Sequence, residues 1–131
     1  MTALTDLREI LASLEATHRG DYVYTVLAEV PDGARPLATV AEDEGLTVVL
    51  PVEQAEALGV EVGAVFSCIT LGVHSALESV GLTAAVSTLL AEHQISCNVI
   101  AGYHHDHLLV PERKARTALQ LLADLAASAK A

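Results

Sequence analysis

Residues 65–111 read VFSCITLGVHSALESVGLTAAVSTLLAEHQISCNVIAGYHHDHLLVP, and the succession of patterns inside them decides the fold. The first nine residues carry no charge, as expected of a central strand covered on at least one face. A Ser-, Glu- and Gly-containing loop follows, and a helix is predicted from about Thr83, with Leu82, Val86, Leu89, Leu90 and His93 on one face. Thr83 is placed to cap the free amides of its first turn. The chain returns as a strand at Cys97, and the exit of that strand is the cluster His104, His105, Asp106 and His107 before a further apolar run to Pro111.

Working outward, Leu4, Leu7, Ile10, Leu11 and Leu14 recur at helical spacing, with His18-Arg19-Gly20 as the expected stop. YVYTVLAEV over residues 22–30, closed by Pro31-Asp32-Gly33, predicts a strand and a turn. Residues 37–41 and 46–50 flank an acidic tip, Glu42-Asp43-Glu44-Gly45, and predict a hairpin with exposed carboxylates. Pro51 suits a first helical position and Gly59 the residue past its end, so VEQAEAL between them predicts a short helix. On the other side, a last helix is expected from Pro111, burying Ala115, Ala118, Leu119, Leu122 and Leu125. The order is helix, strand, hairpin, short helix, strand, helix, strand, strand, helix. Such an order implies an α+β class with two packed layers and a mostly antiparallel sheet. Gly59 to Gly63 divides the chain into two similar halves, 1–60 and 61–131, each with strands and helices.

A chain of 131 residues buries roughly two thirds of its extended surface. It needs no staple to fold. With 52% hydrophobic and only 3% aromatic residues, its core must be built from Val, Leu, Ile and Ala. A net charge of −10 argues against nucleic acid and anionic membrane as partners, because affinity for phosphates needs clustered Lys and Arg. Arg113, Lys114 and Arg116, three of the seven basic residues, read as the solvated face of the last helix. Asp6, Arg8 and Glu9 interrupt the first leucines, so no secretory leader is expected, and no apolar run of ~20 residues exists to span a bilayer. The expected setting is the cytoplasm, where Cys68 and Cys97, both in apolar strands, act as small core residues rather than a disulfide.

The loop from His74 to Gly81 joins a strand to a helix start, where free amides and the positive end of the helix dipole can seat a carboxylate or phosphate. Ser75, Ser79 and Thr83 supply hydroxyls for an oxyanion; an ordinary capped loop uses the same residues. No Gly-x-Gly-x-x-Gly or Gly-Lys-Ser/Thr pattern is present, and no cofactor is expected. Asn98 sits between Cys97 and Val99 in a run expected to be buried, so its amide must bond either nearby backbone or a ligand. The four residues from His104 to His107 invite a metal reading, but adjacent residues rarely build one tetrahedral site, and no helical His-x-x-x-His or Cys-x-x-Cys supports it. Neither cysteine has the polar surroundings that favour a thiolate, and no Gly-x-Ser-x-Gly elbow occurs, so no enzyme is expected.

The pieces EDEGLTVVLP, ITLGVHSALESVGLTAAVSTLLAEHQISCNVIAGYHHDHLLVP and ERKARTALQLL resemble small stand-alone ACT-domain proteins, and are similar to the ACT modules of aspartate kinases and of the eukaryotic arginine sensor. The similarity covers about residues 20–125. It implies a ferredoxin-like sandwich of antiparallel strands with helices on one face, in two ACT-like halves. Residues 65–73 would form the first strand of the second half, 83–93 its helix, 96–103 the second strand and 107–110 the third. No strand is evident after the last helix, so the first half is expected to supply the missing sheet position. The resemblance further implies regulatory binding of an amino acid between two modules by a homo-oligomer. Carried over, the ligand-binding residues would be His74, Ser75, Gly81, Leu82 and Thr83 from the loop, with Asn98, Val99 and Ile100 from the next strand.

Overall fold

The computed structural model describes residues 6–73 and 81–130. Helix α1 (Leu7–Ala12) is followed by a long strand β1 (Glu15–Leu27), the hairpin β2 (Ala38–Glu42) and β3 (Gly45–Pro51), and helix α2 (Val52–Ala57). Then come β4 (Phe66–Gly72), α3 (Leu82–Glu92), β5 (Asn98–Ala101), β6 (Asp106–Pro111), a single 3-10 turn and the terminal helix α4 (Ala115–Lys130). All strands join one six-stranded sheet in the order β2-β3-β1-β4-β6-β5, every neighbouring pair antiparallel.

Strand β1 holds the two halves together. Its first part pairs with β4, from Glu15 opposite Gly72 to Tyr22 opposite Phe66, and its second part pairs with β3, from Tyr22 opposite Pro51 to Leu27 opposite Leu46. The first half thus supplies the sheet position that the second half lacks. This strand also corrects the predicted start of the chain. The helix ends at Ala12, and His18-Arg19-Gly20, expected to stop it, lie inside the strand. Pairing with the apolar β4 overrides the local helical spacing, and Gly20 at φ +120° absorbs a β-bulge where Arg19 and Gly20 together oppose Cys68. The other strands and helices fall within a few residues of their predicted positions. Pro51 caps α2 rather than opening it, and the 3-10 turn Glu112–Lys114 precedes α4.

Side-chain alternation sorts the core onto the two sheet faces. On one face Ile69, Leu71, Leu108 and Val110 meet Ile10 of α1, Leu82, Val86 and Leu90 of α3, and Ala118 and Leu122 of α4. On the same face, further along the sheet, Val23, Val48 and Leu50 pack against Ala55 of α2. These are two separate apolar clusters on one face. The opposite face carries no helix among the described residues. There Val49, Cys68 and Leu109 are buried by neighbours that include Tyr22, Phe66 and Ile100, while Tyr24, Val26 and Val40 stand 40%, 58% and 52% exposed.

Candidate functional site

Of the residues assigned to a ligand by resemblance, His74 and Ser75 lie outside the described residues. Gly81 is the N-cap of α3 at φ +107°, and no side chain caps that helix. A Cβ there would come within 3.2 Å of Leu7, so the α3 start is packed against α1. Thr83 is therefore not the cap; it is an exposed residue of the first turn, because a left-handed glycine one position before the helix already sets the entry angle. Leu82 is a core residue, 6% exposed.

Asn98, Val99 and Ile100 form most of β5, the last strand of the sheet. Asn98 was expected to be buried and is exposed: it sits on an edge strand, opposite Leu109, with water available to its amide. Register puts Asn98 and Ile100 on the open face, with Leu109 and Cys68, whereas α3 lies on the helical face. Within the described residues Thr83 and Asn98 do not converge on one cavity of this chain.

The histidine cluster divides in the same way. Gly102 to His105 make a turn closed by the Gly102 amide donating to the His105 carbonyl at 2.8 Å. Tyr103 and His104 stack edge to face with ring centres 4.9 Å apart, out in solvent. His107 belongs to β6, where its Nδ1 lies 2.9 Å from the Thr70 hydroxyl and its ring crowds Gly102. Burial lowers its pKa from the ordinary 6.5, and the neighbouring His105 lowers it further, against a smaller opposing effect from Asp106. Among the described residues no three His, Cys, Asp or Glu side chains are gathered to hold a metal ion. The thiols of Cys68 and Cys97 are both free, and burial pushes both up in pKa.

A second polar constellation was not anticipated. A cavity of about 620 Å³ opens between β1, β4 and the start of α4, with His18, Asp21, Ser67, Glu112, Arg113 and Arg116 in its lining. In a regular strand residues three apart face opposite ways. The bulge at Gly20 restores them to one face, and His18 Nε2 lies 3.3 Å from Asp21 Oδ1. The same oxygen accepts a hydrogen bond of 2.7 Å from the hydroxyl of Ser67, which is only 2% exposed. The usable sequence signal is Ser67, which with Thr70 is one of two hydroxyls in an otherwise apolar central strand. In sequence His18 reads as part of a helix stop, and the arginines as a solvated face.

Two ACT-domain family models match the chain, one over residues 2–67 and the other over residues 64–124. A crystal structure of a Vibrio cholerae protein of unknown function, described as a possible transport protein, superposes with a TM-score of 0.81. It is 49% identical and the match covers 92% of this chain and 95% of that one. An X-ray structure of a protein from Agrobacterium tumefaciens shares the fold with a TM-score of 0.67, at 21% identity over 86% of this chain and 89% of its own. No curated protein matches. The tandem of α+β halves on one antiparallel sheet and the two family matches agree, and the chain belongs to the ACT-domain family.

Proposed function

We propose that this protein is a regulatory binding module, not an enzyme, that captures a free amino acid in the cytoplasm. ACT domains are in general regulatory small-molecule-binding modules. The observation that carries the reading is the shared strand: β1 pairs with β3 of one half and β4 of the other, so a boundary between two ACT halves is built into one chain. In the proposed mode Gly81, Leu82 and Thr83 at the start of α3, together with His74 and Ser75, which precede them in the sequence, offer amides to an α-carboxylate, and Asn98, Val99 and Ile100 offer the edge of β5 to the ammonium. Because α3 and the Asn98 side chain lie on different sheet faces, a second copy of the chain completes that pocket.

The oligomer is supported by the open sheet face. There the uncharged Tyr24, Val26 and Val40 stand exposed, whereas the chain as a whole has net charge −10. Two copies repel one another least across such a face. Sedimentation at micromolar concentration is expected to show a dimer or higher species, and Val26→Arg, at a 58% exposed position, to shift it to monomer. A monomeric wild type would remove this part of the reading.

The ligand is tested by thermal shift with each of the twenty amino acids. At ~100 times its dissociation constant a ligand adds about 2.7 kcal/mol to stability, an easily read rise in melting temperature. If all twenty leave the melting temperature unchanged, the amino-acid reading fails and a ligand-free interaction module takes its place.

A further inference from the structure

The gap between the two apolar clusters on the helical face is filled with polar groups where packing alone would place aliphatic ones. Cluster one ends at Ala115 and Ala118, cluster two at Val23 and Leu50, and the cavity lined by Asp21, Ser67, Arg113 and Arg116 lies at that junction. Ser67 is one of two buried polar residues among those described. Breaking the apolar pattern there costs stability, and such local violations concentrate at functional sites.

The charges of the cleft are arranged in two parts. Its floor, from β1 and β4, presents the Asp21 carboxylate, held on one oxygen by Ser67 and His18, with the other oxygen unpartnered among the described residues. Its wall, from the 3-10 turn and α4, is lined by Arg113 and Arg116, with Glu112 beside them. Neither arginine makes an ion pair among the described residues, where the single ion pair is His18 with Asp21. Two of only seven basic residues in a chain with 17 acidic ones therefore line one cavity without an ion-pair partner among the described residues.

A simple anion entering this cleft meets Asp21, and a simple cation meets two arginines. A molecule with an anionic group at one end and an ammonium at the other satisfies both, with the carboxylate bonded by the planar guanidinium forks and the ammonium by Asp21. A volume of about 620 Å³ lies within the range of small-molecule sites. We infer that the cleft between β1, β4 and the start of α4 is a binding site for a small zwitterion carrying both a carboxylate and an ammonium, separate from the site at the start of α3 and β5. The inference stands on the charges of the cleft and does not rest on that other site.

Nitrogen-15-labelled protein titrated with each of the twenty amino acids, and with acetate and methylammonium as single-charge probes, tests it. At least one amino acid is expected to shift the backbone signals of Asp21, Ser67 and Arg116 saturably. Asp21→Asn and Arg116→Gln should each weaken that binding tenfold or more, and neither single-charge probe should reach the affinity of the zwitterion. Arg116 is exposed and Asp21→Asn is isosteric, so both variants should keep the wild-type circular dichroism. Asn98→Ala serves as the control and should leave the titration at the cleft unchanged. Shifts confined to residues 81–83 and 98–100 would overturn the cleft while leaving the other site standing. Acetate binding as well as any amino acid, insensitive to Asp21→Asn, would also overturn it, as would the absence of any shift at the cleft.

Discussion

Substituting Gly20 by alanine isolates the conformational cost of the bulge on which the shared strand depends. Gly20 has φ +120°, a region open almost only to glycine, and holding another residue there costs on the order of 1–3 kcal/mol. A Cβ at Gly20 meets nothing within 4 Å, so no steric clash adds to that figure. Alanine restricts the unfolded chain more than glycine does, which returns about 0.4–1 kcal/mol. The net expectation is a loss of about 1–2 kcal/mol, or roughly 4–8 °C in melting temperature for a domain of this size. Urea unfolding followed by circular dichroism reads it as a lower midpoint with an unchanged slope. Gly63 provides the control: its φ is not in the left-handed region and a Cβ there also meets nothing within 4 Å, so Gly63→Ala should be neutral or stabilising. The two substitutions are chemically identical, and only Gly20→Ala should destabilise. A Gly20→Ala protein as stable as wild type would refute the strained bulge, and with it the reason His18 and Asp21 share a face.

Three further expectations follow from single residues. Leu90 of α3 is fully buried, and Leu90→Ala should cost about 2–5 kcal/mol by urea unfolding; a cost under about 1 kcal/mol would mean that α3 is not packed as described. Because the His107 pKa is lowered from 6.5 in the folded chain, the unfolded chain takes up the proton first as pH falls through that value. Stability should be unaffected by this group at neutral pH and decline on acidification below about 6.5. His107→Gln, which removes the ring bonded to Thr70 and acted on by the charges of His105, Asp106 and Arg19, should flatten the profile, and identical profiles for the two proteins would contradict it. The Cys68 thiol, buried and raised in pKa by that burial, should resist a disulfide reagent at pH 7.5 until urea is added, whereas rapid native modification mapped to Cys68 would show the strand open.

Much of the fold is legible because its strongest elements obey one period each. Residues 65–73 have no charge and became β4, and the spacing of Leu82, Val86 and Leu90 became the buried face of α3. The start of the chain was misread because His18-Arg19-Gly20 has the composition of a helix stop, while the force that extends the strand through it, pairing with β4, comes from residues about fifty positions away. Asn98 was misplaced for a related reason: its neighbours are apolar enough for a buried strand, and only the strand order shows that β5 lies at the edge. The polar cleft was invisible because its parts come from three distant stretches, and a bulge that reverses side-chain parity has no period to detect. The cleft's one mark in the sequence is Ser67, which with Thr70 interrupts the apolar run of β4.

Capture of a small molecule by this tandem of ACT halves is tested most directly by equilibrium dialysis of the purified chain against an equimolar mixture of the twenty amino acids. With each amino acid quantified on both sides of the membrane by mass spectrometry, one amino acid or a few of related side chain should be enriched with the protein, up to a limiting ratio per chain. Equal concentrations of all twenty on the two sides would contradict the account.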